Sequence, residues 1–145
     1  VVFGSFGRIW ASLYIEGNKT KNLITAGPFS MVRNPLYFFS LIMLLGFSLA
    51  LKAIYLPLAL LLIFVIFHIP TIANEERKLR KNHGDKFESY MKSTPRLIPN
   101  IFKYKRPETG EKVLVKIGRI NGVLIEVIGY LFLYTLIDII YFILD

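Results

Sequence analysis

The apolar positions of this chain gather in long blocks and do not alternate with polar ones. Residues 35–51 are 17 positions without a charge. Residues 53–73 are 21 positions whose one group ionising near neutral pH is His68, and residues 120–144 are 25 positions broken only by Glu126 and Asp138. A helix needs ~20 residues to cross the ~30 Å hydrocarbon layer, so each block reaches or approaches a membrane span. The first two blocks are joined so tightly that they must form an antiparallel hairpin. Pro70, in the returning helix, frees a backbone carbonyl and can kink that helix toward a cavity. A shorter apolar run, residues 1–15, carries Gly4, Gly7, Arg8 and Trp10 and reads as the inner half of a helix whose start can lie outside the given sequence. Its glycines would let a neighbouring helix or a ligand approach closely. The expected architecture is all-α. It comprises a short or partial membrane helix over 1–16, a transmembrane hairpin over 35–51 and 53–73, a polar cap and linker over 74–116, and a transmembrane helix over 117–144.

Composition agrees with this pattern. The chain is 54% hydrophobic with mean hydropathy +0.50, too apolar for a soluble domain of 145 residues. A net charge of +8 would suggest nucleic acid in a soluble protein. Here 15 of the 18 Lys and Arg fall in residues 17–34 and 74–116, which two spans place on one side. The positive-inside rule makes that side cytoplasmic and puts Lys52 and Asp145 on the other. Anionic lipid headgroups, and not nucleic acid, are then the natural partners of the charge. The absence of cysteine excludes a disulfide framework, a thiolate nucleophile and a cysteine metal site. His68 and His83 are too few and too far apart for a metal signature. Nucleotide-binding glycine loops, nucleophile elbows and zinc-protease patterns are all missing. No motif fixes an oligomeric state.

Candidate chemistry concentrates in two polar stretches at the ends of the hairpin. Gly27-Pro28 marks a turn, after which Asn34 and Pro35 form a strong helix start, Asn34 as the cap and Pro35 at the first helical position. Arg33 and Tyr37 lie beside them at the mouth of that helix. At the far end of the hairpin, Glu75 and Glu76 follow the apolar run directly, at the wet end of the helix. Carboxylates at that depth need partners or water, so they either solubilise the helix end or hold a polar ligand. Gly84 ends this helix, and Asp85 with Glu88 resembles a capping box for a short amphipathic helix through Lys92. That helix, with Leu79, Phe87, Tyr90 and Met91 on its apolar side, would lie on the membrane surface as a lid. His68 reads first as a hydrogen-bonded packing residue, and Glu126 and Asp138 as helix-pairing or solvated acids.

The two stretches together, Gly27-Pro28-Phe29…Val32-Arg33-Asn34-Pro35-Leu36-Tyr37 and Glu75-Glu76…Leu79…Gly84…Phe87…Tyr90…Thr94-Pro95-Arg96-Leu97-Ile98-Pro99, resemble the isoprenylcysteine carboxyl methyltransferase and phospholipid methyltransferase family. Arg8, Trp10 and Ala11 are similar to the family's preceding helix, so the resemblance covers roughly residues 4–100. It implies an integral membrane enzyme that transfers a methyl group from S-adenosylmethionine to a lipid or isoprenoid acceptor through a carboxylate, amine or thiol. By this likeness Arg33, Asn34, Pro35 and Tyr37 belong to one wall of the cofactor pocket, and Glu75, Glu76 and Leu79 to the other. Tyr90, Arg96 and Pro99 belong to a cytoplasmic cap, and Arg33, Asn34 and Glu76 are the residues nearest the chemistry. The family usually has His where this chain has Asn34, and Asn cannot act as a base at neutral pH. Two other readings stand beside it: a membrane reductase of the sterol-reductase type using NADPH, and a non-enzymatic membrane module.

Overall fold

The computed structural model describes residues 1–16, 23–51, 54–107 and 117–144. The readings that placed Lys52 and Asp145, and the linker beyond residue 107, lie outside the described residues. Among the described residues six α-helices run in the order α1 (Val2–Glu16), α2 (Pro28–Met31), α3 (Pro35–Ala50), α4 (Leu56–His83), α5 (Asp85–Ser93) and α6 (Ile117–Leu144), with a 3-10 turn at Ile101–Lys103 before α6. Among the described residues there is no strand, only one isolated antiparallel bridge between Gly27 and Lys105. The protein is an all-α membrane protein.

Its surface shows why. In α4 and α6, windows of mean hydropathy 2.4 and 2.1 are almost wholly unburied within the protein. Phe67, Leu62, Phe132 and Phe142 all face outward. Apolar side chains on every outer face are stable only where the surroundings are apolar as well. Helix α3, with 16 residues, spans only ~24 Å, less than the hydrocarbon layer. Helix α4 continues for 28 residues straight through Pro70, so its last turns, with Glu75 and Glu76, project beyond the apolar stretch.

Helices α1 and α3 form the tightest pair, and their small residues explain it. Val1 meets Gly46, while Gly4 lies against Met43 and the Phe39 carbonyl, so the two helices are antiparallel. A Cβ on Gly7 would fall 2.2 Å from the Phe39 ring, and one on Gly4 would fall 2.9 Å from backbone atoms of α3. Both glycines thus serve helix packing. Helix α4 returns antiparallel to α3, bringing His68 and Glu75 alongside Tyr37. Phe64 and Ile72 of α4, and Phe39 and Met43 of α3 against the α1 glycines, belong to the buried apolar core. The His68 Nδ1–H donates to the Phe64 carbonyl (3.2 Å), and its ring stacks on Phe64 at 4.2 Å, so this histidine is a packed one.

Helix α6 joins through polar contacts. Arg8 on α1 donates from Nη1 to Ser40 Oγ of α3 (2.5 Å) and from Nη2 to Glu126 Oε2 of α6 (2.8 Å). Near its far end the Tyr141 hydroxyl donates to the Leu51 carbonyl (2.9 Å). Glu126 is therefore a helix-pairing acid. The expected capping box at Asp85 and Glu88 is not made. Gly84 alone separates α4 from α5 and itself occupies the cap position, its carbonyl accepting from the Phe87 and Glu88 amides. With no extended residue ahead of the helix, Asp85 becomes its first turn, and Glu88 pairs with Arg80 (3.6 Å).

The α1–α3 contact makes a direct prediction. Gly4→Ala and Gly7→Ala force α1 away from α3 and should each lower stability by about 1–3 kcal/mol. Gly122→Ala and Gly129→Ala, where an added Cβ meets nothing within 4 Å, should be neutral or slightly stabilising. Thermal unfolding of the four variants in one detergent checks the contrast.

Candidate active site

All the polar machinery collects at one end of the bundle, where α1 and α4 finish and α3 begins. The turn before α3 is built first. Gly27 has φ 60°, and a Cβ there would lie 2.3 Å from the Tyr14 ring, so both the backbone conformation and the space demand glycine. Pro28 then starts the single turn α2. Its end is held from three sides: the Gly27 amide donates to the Lys105 carbonyl (2.8 Å), the Asn100 amide to the Met31 carbonyl (2.9 Å), and the Arg33 amide to the Pro95 carbonyl (2.8 Å). The Tyr90 hydroxyl of α5 donates to the Phe29 carbonyl (2.6 Å) in a buried contact. Burial drives the Tyr90 hydroxyl pKa well above its ordinary value, so this tyrosine remains a neutral donor.

These fastenings present Arg33 and Asn34 to the paired acids of α4. Glu76 is the centre of the cluster. Its Oε1 accepts from Asn34 Nδ2 (3.1 Å) and lies 3.6 Å from Arg33 Nε, while its Oε2 lies 3.2 Å from Arg96 Nε. The side chains of Glu76 and Arg33 are each only 11% exposed. The expectation that both acids sit at the wet end of the helix therefore fails for Glu76, which the strap of residues 94–100 covers. Asn34 stands at the cap position of α3 but makes no side-chain cap. Its amide instead donates to Glu76 and to the Arg96 carbonyl (3.0 Å), because a carboxylate and a free carbonyl lie in front of it. Pro35 does occupy the first helical position.

Beside this cluster lies a cavity of about 550 Å³, within the usual range for small-molecule sites. Arg33, Asn34, Pro35, Tyr37, Glu75, Glu76, Leu79 and Tyr90 all line it. Arg96 and Pro99 do not: Arg96 reaches Glu76 from outside, and Pro99 lines a larger, more open groove of about 740 Å³ on the far side of Arg33. We give the smaller cavity precedence because it alone contains the carboxylates. Glu75 accepts from the Tyr37 hydroxyl (3.1 Å) and is exposed. Three nitrogens, Arg33 Nε and Nη1 and Arg96 Nε, are buried without a hydrogen-bond partner among the described residues. Both Nε atoms already face Glu76 as ion pairs, so Arg33 Nη1, beside the cavity, is the donor left to suit an anionic ligand group. The sequence reading missed the apolar wall, to which Ile15, Leu23, Ile24 and Phe29 contribute. An apolar Leu23-Ile24 pair inside an otherwise polar connector was the one available signal.

The chain is similar to the nickel-cobalt-cadmium resistance protein NccN of Alcaligenes xylosoxydans xylosoxydans, with 30% identity over 131 residues, 90% of this chain and 60% of that protein. It is also similar to the cobalt-zinc-cadmium resistance protein CzcN of Cupriavidus metallidurans, with 32% identity over 109 residues, 75% of this chain and 50% of that protein. The chain thus spans between half and three-fifths of the length of these relatives. No solved structure matches it. The sequence model described as "Phospholipid methyltransferase" matches residues 2–86, a stretch holding α1 to α4 and every cavity residue named above except Tyr90 of α5. On that match, which covers more than half of the chain, the protein belongs to the phospholipid methyltransferase family.

Proposed function

We propose that this chain binds S-adenosylmethionine in the 550 Å³ cavity and transfers its methyl group to a lipid or isoprenoid acceptor that enters from the bilayer. The observation that carries this reading is the pairing of a free-facing carboxylate, Glu75, with the orphaned Nη1 donor of Arg33 around one cavity at the polar end of membrane helices. The cofactor, when bound, supplies an electrophilic methyl group on a sulfonium and carries an ammonium and a carboxylate. Glu75 suits the ammonium or the ribose hydroxyls. Arg33, whose Nη1 lacks a partner, suits the carboxylate. Glu76 is already engaged by Asn34, Arg33 and Arg96, so its role is to hold these groups in place. Tyr37, one wall residue along, keeps Glu75 oriented through its hydroxyl.

Methyl transfer needs no charged intermediate to be stabilised by a base here, and positioning supplies most of its acceleration. Asn34 cannot take a proton, so an acceptor already bearing a lone pair fits the site best. The relatives' names give no acceptor. A membrane component is the one that a cavity at this level can reach. By the positive-inside rule the cavity opens on the cytoplasmic face, with Lys78 in its lining and Arg77, Arg80 and Lys81 on the same stretch of α4.

Three outcomes test the reading. Glu75→Gln should weaken S-adenosylmethionine by about 1.5–3 kcal/mol, the scale of a charge-assisted hydrogen bond, with little loss of stability. Glu76→Gln should instead lower stability by about 3 kcal/mol, since it leaves two guanidiniums facing a neutral group. Calorimetric titration with S-adenosylmethionine and with NADPH, beside thermal unfolding, separates these effects; tight NADPH binding without S-adenosylmethionine binding would replace the methyltransferase by the reductase.

Asn34 offers a sharper contrast. As a mere helix cap it would tolerate Asp, which caps as well as Asn. In this site Asn34→Asp sets a second carboxylate against Glu76 Oε1, so it should destabilise more than Asn34→Ala, by roughly 1–3 kcal/mol. Asn34→His, which can still donate, should lie nearest the parent protein. The order of melting temperatures decides between the roles. For orientation, single cysteines at Arg80 and at Tyr55, both exposed, should react with an impermeant maleimide from opposite faces of sealed vesicles.

A further inference from the structure

The strap that closes the site carries a feature unrelated to cofactor binding. After Pro99 the chain makes its 3-10 turn, with Asn100 Oδ1 accepting from the Phe102 amide (3.2 Å). This turn pushes Ile98, Ile101 and Phe102 outward, 79%, 68% and 94% exposed. Lys103, Lys105 and Arg106 follow at once and are exposed too. The tip is not slack. It is fastened before by the Asn100 amide on the Met31 carbonyl and after by the Lys105 amide on Ser30 Oγ (2.8 Å) and the Gly27–Lys105 bridge. Three large apolar side chains are therefore held away from the protein by a rigid frame.

We infer that residues 98–106 form a membrane-docking wedge, with Ile98, Ile101 and Phe102 inserted in the leaflet and the neighbouring cations on anionic phospholipid headgroups. Three observations choose this occupant. The apolar tip and the basic run are adjacent, the combination that binds an anionic lipid surface. Tyr104 packs against Trp10 of α1 (ring centroids 6.2 Å apart), and Trp10 against Tyr14 (6.3 Å), making an aromatic cluster of the kind found where helices leave the bilayer. This sets the tip at the level of the interface. Finally, the open groove beneath the tip is lined by Lys92, Lys103 and Phe102, with Arg33 on its inner side, which suits a phosphate-bearing headgroup. Because Arg33 borders both the groove and the cavity, docking would be felt in the cavity. That last coupling rests on the proposed function; the docking itself does not.

The test uses the whole chain in vesicles. Trp10 is the single tryptophan, so Trp10→Phe with Phe102→Trp gives one reporter at the tip. In vesicles containing lipid brominated near the headgroup end of its chains, emission at position 102 should fall by half or more and shift to the blue. Quenching should be stronger with phosphatidylglycerol present than in phosphatidylcholine alone. Adding Lys105→Glu and Arg106→Glu should abolish that difference, and because Lys105 is fastened only through its backbone, the strap should survive the change. Unquenched, water-like emission in both lipids overturns the inference, and equal quenching in both removes the anionic partner from it. If the first variant does not fold by circular dichroism, Ile98→Trp in the same background is held to the same outcomes. A change of S-adenosylmethionine affinity with lipid composition, measured separately, reports the coupling through Arg33 and leaves the docking result standing either way.

Discussion

One carboxylate held between two guanidiniums governs the polar end of this protein. Glu76 comes from the long helix α4, Arg33 from the turn before α3, and Arg96 from the strap after α5. Glu76 ties all three through ion pairs, and the Asn34 amide joins the same three segments through its bonds to Glu76 and to the Arg96 carbonyl. Such a cluster is costly to desolvate, and loss of Glu76 would leave the buried Arg33 guanidinium without its carboxylate. Its value is geometric: with two cations on one anion, a net positive charge remains, aimed at the cavity. The backbone bonds from Arg33 to Pro95 and from Asn100 to Met31 then fix the strap in the same register.

The sequence revealed the fold more fully than it revealed the site, and the reason is the scale of the signals. Helices α3, α4 and α6 follow from apolar blocks that nothing but a bilayer accommodates. The break at Gly84 was equally plain. The fine assignments depended on neighbours that are distant in the chain. Asn34 looked like a cap because Pro35 follows it, and only the approach of Glu76, 42 positions away, turned its amide aside. Asp85 looked like a cap because Glu88 lies three positions on, yet the one-residue junction left no room for a cap. The two adjacent acids looked equivalent. Helical geometry separates them by about 100° around α4, so Glu76 turns under the strap and Glu75 stays open.

The family match ends at residue 86, and within it lie the four helices α1 to α4, which supply most of the cavity lining. The strap and α6 follow. The strap contributes Arg96 to the central cluster, and α6 contributes Glu126 to Arg8, so both later segments supply the countercharge to a residue in the earlier part. Neither is a passive extension.

Arg8 lies in α1 and its acid, Glu126, in α6, 118 positions later. A guanidinium among apolar helices is tolerated poorly without a partner. Without α6, Arg8 keeps, among the described residues, the Ser40 hydroxyl as its one side-chain acceptor, and Nη2 loses its carboxylate. Helix α6 is therefore more than a further span: it neutralises a cation that α1 and α3 by themselves leave uncompensated among apolar helices.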